Sequence, residues 1–338
     1  MSQVDVIVPC YKYAHFLRQC VESVLTQEGV DLRVLIIDDA SPDDTPTVAA
    51  ALIEADPRVQ YRRHAVNQGH IATYNEGLNW AEGDYTVLLS ADDLLAPGAL
   101  ARAAKPMDHD PKVGMIYGRG VAFHSDQPIP EWHASAESSG LEIVPGSEFL
   151  EKCCTAADNP VCTPTAVVRT RLQKELGGYR QELPHAGDME MWMRFAAHSP
   201  IGILSSLQAF YRLHSANMSS YWFNTILADL RQKKVVFDTI FDSYSHRIND
   251  AERLRSVANR SIARESFWQA ILAFDRGDLS SHHIMVTFAV NAYPGLRDEP
   301  EWARMAWKRR LGPRFWSALR PLAQRIRHVW LNRVTQPS

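Results

Sequence analysis

Residues 32–45 read LRVLIIDDASPDDT. Leu32–Ile37 is a short apolar run with three β-branched residues, the composition of a strand buried on both faces. It breaks at once into Asp38-Asp39-Ala40-Ser41-Pro42-Asp43-Asp44. Thr45 followed by Pro46 then supplies an N-cap and a first helical position for a helix to about Ala55. Strand, carboxylate-rich loop and helix make one unit, and the unit repeats outward in both directions. Upstream, Val4–Pro9 (VDVIVP) is a strand, and Phe16, Leu17, Cys20, Val21, Val24 and Leu25 make one helical face within Ala14–Gln27. Downstream come a strand at Val59–Arg62, a helix at Thr73–Ala81 and a strand at Tyr85–Leu89. A helix over Ala99–Ala104 and a strand over Val113–Tyr117 complete the series. Almost wholly apolar strands alternating with helices predict an α/β fold of Rossmann-like type, a mostly parallel sheet sandwiched by helices.

The pattern then changes. Residues 121–160 read as loops plus a short helix around Ser147–Cys154. Val161–Val168 reads as a strand, and Thr170–Leu176 and Met189–His198 as helices. Beyond Asn224 the chain is all-helical, over Thr225–Ser243, Asp250–Asp275 and Ser280–Ala292, the last two joined by Arg276-Gly277-Asp278. The expected division is an α/β domain over 1–220, a helical extension over 221–303 and a basic amphipathic tail over 304–338.

Composition narrows the function classes. The 338 residues are 46% hydrophobic and 22% charged, which excludes a disordered or collagenous chain. No apolar run approaches the ~18–20 residues needed to span a bilayer, and MSQVDVIVPCYK lacks signal-peptide architecture. The five cysteines lack metal-ligand spacing and read as reduced thiols of a cytosolic protein. Net charge is −3, but residues 304–338 hold nine Lys/Arg and no acid, leaving 27 basic against 39 acidic groups before them. An acidic body points away from nucleic acid as a partner, and the basic tail points to a partner of its own.

In parallel α/β sheets, ligands sit outside the carboxyl ends of the strands. Three strands here end in Pro9-Cys10-Tyr11-Lys12, in Asp38-Asp39 and in Ser90-Ala91-Asp92-Asp93. Paired carboxylates repel one another unless a cation lies beside them. Hard oxygen donors of this kind suit Mg²⁺ or Mn²⁺, which bind through one or two carboxylates plus substrate phosphates. Asp43 and Asp44, just ahead of a helix, read instead as caps or Asx-turns.

Taken together, VIVPCYK at 6–12, LIIDDASPDDT at 35–45, NQGHIATYNEGL at 67–78, AEGDYTVLLSADD at 81–93 and GDMEMWMR at 187–194 resemble the family 2 glycosyltransferases of the GT-A fold. The resemblance covers about residues 3–215. It implies an inverting transfer of a sugar from a nucleotide-diphosphate donor, with Mn²⁺ or Mg²⁺ as cofactor. By that resemblance Pro9 and Tyr11 belong to the donor site, with Tyr11 stacking on uracil. Asp39 accepts the uracil imide N–H with Asp38 beside it, Asp92 faces the ribose, and Asp93 reaches the metal bridging the diphosphate. Ser-Ala-Asp-Asp stands where Asp-Ser-Asp-Asp is commoner, so the first carboxylate of that motif is missing. Asp188 matches the catalytic base, preceded here by Gly187 where many relatives carry Glu. His214, in YRLHSANMS at 211–219, matches a histidine near the metal in some relatives.

The residues also carry plainer readings. Tyr11 is otherwise a core aromatic at a strand end, Asp188 a helix N-cap, and His214 a surface histidine. Glu190 and Arg194 form a structural i,i+4 pair. Uridine, thymidine and guanine all present a ring N–H, so the base stays open. A dinucleotide-dependent oxidoreductase would need a glycine-rich loop where CYKYAHF follows the first strand. A sugar nucleotidyltransferase and a non-catalytic GT-A scaffold or assembly subunit remain the alternatives.

In the tail, Trp307, Phe315, Trp316, Leu319, Leu322, Ile326, Val329 and Trp330 are interleaved with arginines. That pattern describes an interfacial helix on an anionic membrane surface, at ~1 kcal/mol per basic group. A basic helix folded onto the acidic body, or docking a partner subunit, is the alternative. Membrane attachment fits a glycan or lipid-linked acceptor in bacterial surface polysaccharide assembly, on the cytoplasmic face of the cell membrane.

Overall fold

The computed structural model describes residues 1–130, 140–215, 217, 226–312 and 316. These divide into two compact units, Met1–Cys153 with Asp158–Leu254, and Cys154–Ala157 with Arg255–Ser338.

The first unit is built on a nine-stranded mixed sheet. Its leading half follows the repeated unit seen in the sequence. The elements are β1 (Gln3–Cys10), α1 (Ala14–Leu25), β2 (Asp31–Asp38), α2 (Thr45–Ala55), β3 (Val59–Arg63), α3 (His70–Trp80) and β4 (Tyr85–Leu88). These four strands lie parallel in the order β3-β2-β1-β4. Val4, Val6, Val8, Val34, Ile36 and Val87 pack beneath Leu17, Cys20, Val21 and Val24 of α1 in one core cluster. Burying a Val, Leu or Ile side chain contributes ~1.5–3 kcal/mol, which is why continuous apolar runs mark these strands. On the other face, α3 rests against β1 at Gly77, where an added Cβ would collide with Ile7 Cγ2. That close approach sets the start of α3 beside the end of β2.

The second half departs from simple alternation. It comprises β5 (Leu94–Leu95), α4 (Ala99–His109), β6 (Met115–His124), β7 (Leu141–Val144), α5 (Gly146–Ala156), β8 (Val167–Arg169), α6 (Thr170–Leu176), α7 (Gly187–Ala196), β9 (Ile201–Leu213) and α8 (Ile226–Tyr244). β8 inserts antiparallel between β4 and β6, and β9 runs parallel to β6 while pairing antiparallel with β5 and β7. The strand expected over Val161–Val168 is corrected to a 3-10 turn at Thr163–Thr165 followed by the three residues of β8. The turn bonds Thr165 N–H to Cys162 O, taking those backbone groups out of the ladder. The thirteen residues of β9 were not anticipated, because Ser205, Ser206, Gln208 and Arg212 interrupt the apolar pattern. The helix expected to stop at Ala104 runs through Pro106 to His109. Buried Leu100, Ala103, Ala104 and Met107 hold it down although Pro106 offers no N–H.

The second unit is helical. It takes in most of α9 (Ala251–Asp275), then α10 (Leu279–Ala292) and α11 (Pro300–Leu311). The α9–α10 hairpin turns at Gly277, with φ +81°, and Asp278 caps α10 by accepting from Ser281 N–H. Glu299, nearly buried, takes Arg260 at 2.6 Å and Arg264 at 2.8 Å, while Phe267 stacks on Trp302. Among the described residues no helix is long and apolar enough to cross a membrane. Of the basic tail, α11 ends at Leu311, capped by Gly312, with Trp307 62% exposed. Of the amphipathic stretch expected beyond it, Trp316 is described, with Lys308 Nζ 4.5 Å from its ring centroid, and the rest lies outside the described residues.

Candidate active site

The carboxyl ends of β1, β2 and β4 open onto a cleft of about 1250 Å³ within the first unit. Two non-glycine residues at its edge, Lys12 and Ala40, adopt φ of +65° and +57°. Such backbone costs of order 1 kcal/mol or more and persists where the surroundings enforce it. Ser41 helps to do so, its Oγ accepting the Lys12 N–H at 3.1 Å.

Pro9 and Tyr11 both line the cleft. Tyr11 is 39% exposed, so it is not a core aromatic; Lys12 Nζ lies 5.0 Å over its ring. The two aspartates that end β2 part company. Asp38 turns away from the cleft into the sheet, where its carboxylate accepts from Ser41 N–H at 2.7 Å and Tyr61 Oη at 2.8 Å and faces Arg63. The structure therefore does not bring Asp38 to the ligand space. Asp39 does line it, and its Oδ1 accepts from Gln68 N–H and His64 Nδ1, its Oδ2 from Gly69 N–H, all at 2.7–2.9 Å. Asp43 is a structural residue, binding Thr45 N–H and hydroxyl as well as Ala14 N–H.

Beyond β4, Asp92 and Asp93 are both buried at the cleft floor. Burial, then the neighbouring Asp92, pushes the Asp93 carboxyl well above the usual carboxylate range. Arg212 of β9 offsets part of this. Its N–H donates to Asp93 Oδ1 at 3.0 Å and its Nε to Asp92 O at 2.8 Å, while its guanidinium sits over Phe16 and Phe123. His214 is no surface histidine, because its Nε2 lies 3.0 Å from Asp92 Oδ2 and its ring packs edge-on to Tyr13. Asp92 Oδ1 is buried with no hydrogen-bond partner among the described residues.

Among the described residues no group of three or more His, Cys, Asp or Glu side chains is arranged to hold a metal ion. Mg²⁺ and Mn²⁺ do not need one, since they fill their shell from one or two carboxylates, waters and substrate phosphates. An orphaned buried carboxylate oxygen beside a second carboxylate destabilised by burial and like charge is a donor set that such a cation would relieve. The residues present fit that group.

Asp188 lines the same cleft. α7 begins at Gly187, two residues earlier than the periodicity indicates, so Asp188 lies inside the first turn rather than at the N-cap. Its Oδ1 accepts the Met189 N–H at 2.7 Å. Its Oδ2 accepts from Thr163 Oγ1 at 2.8 Å and Asn159 Nδ2 at 3.0 Å. Burial raises its pKa, and the bonds from Thr163 and Met189 N–H only partly pull it back. Glu190 leaves the field, buried and clamped by Arg194 at 2.7 Å and Arg180 at 3.0 Å. Asn159 and Thr163 went unseen because they lie where the chain reads as loop and strand. The rim next to Asp188 adds Asp158, Lys233, Asp229 and His185, linked in that order at 2.9, 3.1 and 2.9 Å.

Residues 5–172 match the model of glycosyl transferase family 2. The chain belongs to that family. Over 108 residues, 32% of this chain and 30% of the relative, it is 35% identical to the succinoglycan biosynthesis protein ExoO of Rhizobium meliloti. The chain spans less than two thirds of the curated relatives it matches, 63% and 66% in two of the longer matches. Its fold is that of S. aureus TarS, solved with UDP-GlcNAc (TM-score 0.64, 16% identity, 88% of this chain and 83% of that one). A mannosyltransferase from Pyrobaculum calidifontis, solved with GDP-Man and Mn²⁺, shares it as well (TM-score 0.55, 17% identity, 97% and 87%). The family 2 architecture accounts for the GT-A sheet and for the strand ends converging on one cleft.

Proposed function

We propose that this family 2 chain is an inverting glycosyltransferase that moves a sugar from a nucleotide diphosphate, a UDP-sugar in the first instance, to a glycan hydroxyl. The observation that supports this most is that Asp39, the Asp92–Asp93 pair and Asp188 open onto one cleft from three different elements. Tyr11 offers an exposed ring for stacking a base. Asp39, acceptor-only when ionised, selects a base with an N–H. Asp93, with Asp92 Oδ1 or His214 as a second donor and with waters and the diphosphate completing the shell, would hold Mn²⁺ or Mg²⁺, and the bound cation would act as a Lewis acid toward the departing diphosphate.

Asp188 takes the proton of the attacking hydroxyl. A carboxylate with raised pKa binds that proton more firmly than an exposed one. Asp158 and Asp229, the other acids at this end, are tied to Lys233 and His185. Asp188 is thus left as base for a single displacement, which inverts the anomeric carbon.

The name of the R. meliloti relative supports an acceptor within polysaccharide assembly. The basic tail supports attachment to the cytoplasmic face of a membrane carrying a lipid-linked acceptor. Comparing flotation on anionic vesicles of the full chain and of residues 1–303 tests the attachment; equal flotation removes the tail from it.

The activity is tested with a panel of nucleotide sugars, with and without Mn²⁺, read by thermal midpoint and nucleotide release. Stabilisation and turnover by UDP-sugars, dependent on the cation, are expected. A panel in which no nucleotide sugar binds would overturn the reading and favour a scaffold.

A further inference from the structure

One buried charge beside the cleft has no part in the chemistry above. His64 follows β3, and its N–H donates to Asp38 O at 2.9 Å, fixing the side chain behind Asp39. The side chain is 6% exposed and is not among the residues lining the cleft. Its Nδ1 lies 2.7 Å from Asp39 Oδ1 and its Nε2 lies 2.7 Å from Glu76 Oε2 on α3. Ionised carboxylates only accept, and neutral imidazole has one donor nitrogen and one acceptor. Only the imidazolium, donating from both nitrogens, satisfies the two contacts at once.

The charges around it are arranged for that state. Asp39 faces it from the β2–α2 loop and Glu76 from α3, whose other oxygen is 3.4 Å from Arg62 Nη1. Arg63, on the same strand, turns instead to Asp38 and Ser41 O. Burial pulls the histidine down, but the bonds to Asp39 and Glu76 outweigh it and leave it above the ordinary value.

The consequence falls on Asp39. Oδ1 already holds His64 and Gln68 N–H, whereas Oδ2 holds only Gly69 N–H among the described residues. A carboxylate oxygen has two lone-pair sites, so the spare capacity is on Oδ2. We propose that His64 is a positioning residue, whose cation clamped between Asp39 and Glu76 presents Asp39 Oδ2 to the N–H edge of the donor's base without itself touching the nucleotide. This rests on the reading of Asp39 as the base contact. When His64 loses its proton, one nitrogen becomes an acceptor facing a carboxylate, the clamp opens on that side, and Asp39 loses the cation behind it, keeping only the Gln68 and Gly69 N–H donors among the described residues.

The test uses the full chain with Mg²⁺ and two probes, UDP and inorganic pyrophosphate, which has no base. Affinities are measured by calorimetry from mildly acidic to mildly alkaline pH, below the ionisation of uracil. UDP affinity, taken relative to pyrophosphate, is expected to fall about tenfold as pH rises through the His64 titration, the size of one charge-assisted hydrogen bond. An imidazole NMR resonance should titrate over the same range. His64→Gln is expected to bind UDP about tenfold more weakly at low pH with no such dependence, and pyrophosphate as wild type does. If that variant fails to fold, the wild-type ratio and resonance decide alone. Asp39→Asn separates the two levels. If Asp39→Asn binds UDP unchanged, the base reading itself fails. If it weakens UDP while the wild-type ratio stays flat with pH, only the role of His64 is overturned.

Discussion

The hydroxyl of Thr163 donates to Asp188 Oδ2 across 2.8 Å, from a 3-10 turn on a different segment from the helix that carries the aspartate. That bond stabilises the carboxylate against the burial that raises its pKa. Removing it leaves burial less opposed. Thr163→Val is therefore expected to move the acid limb of the kcat/KM profile to higher pH, by up to about one unit, or ~1.4 kcal/mol. A pH–rate profile checks it, and an unmoved limb would mean that the group titrating in the rate is not Asp188.

Asp93 has a folded-state pKa above its unfolded value. The folded protein then holds that proton more tightly than the unfolded chain, so stability falls as pH rises through the shifted range. Above the unfolded-state pKa, holding this carboxyl in its buried place is therefore a cost that Asp93→Asn removes. The metal-free variant is expected to melt later than wild type, by an amount on the order of 1 kcal/mol. Mn²⁺ should raise the wild-type midpoint and leave the variant's unchanged. Thermal melts with and without the cation check both statements.

Asp38 and Asp39 should separate by phenotype. Asp38→Ala strips Ser41 N–H and Tyr61 Oη of their acceptor and leaves Arg63 without its carboxylate. Each abandoned buried partner costs about 1–3 kcal/mol. The variant is expected to lose that much stability in denaturant titrations while keeping the wild-type preference for UDP over CDP. Asp39→Ala is expected to lose the preference first.

What the sequence disclosed follows from how each element is buried. β1, β2 and β4 are covered on both faces, so their apolar runs stand out, and the loops at their ends could be marked as ligand-facing. β9 is as deeply buried, yet Gln208 and Arg212 sit within it because specific partners satisfy them. Arg212 alone serves Asp92, Asp93 and Gln19. Asp38 and Asp39 are both assigned to the donor site by resemblance, but the side chains of these two adjacent residues at the end of β2 point to opposite sides. Only Asp39 could therefore share the cleft with Tyr11. His64 left no trace, since its partners lie 25 and 12 residues away.

The base is where the account is most exposed. Asp188→Asn keeps the shape of the side chain and an acceptor for the Met189 N–H, with the Thr163 hydroxyl turned to accept from the new amide, but it loses the bond from Asn159 Nδ2 and accepts no proton. Transfer from a UDP-sugar should fall by a factor on the order of 10² to 10⁴, the usual worth of a positioned base, while UDP affinity measured on the same preparation stays at the wild-type value. Turnover by that variant at the wild-type rate would contradict the assignment of Asp188 and, with it, the single-displacement mechanism.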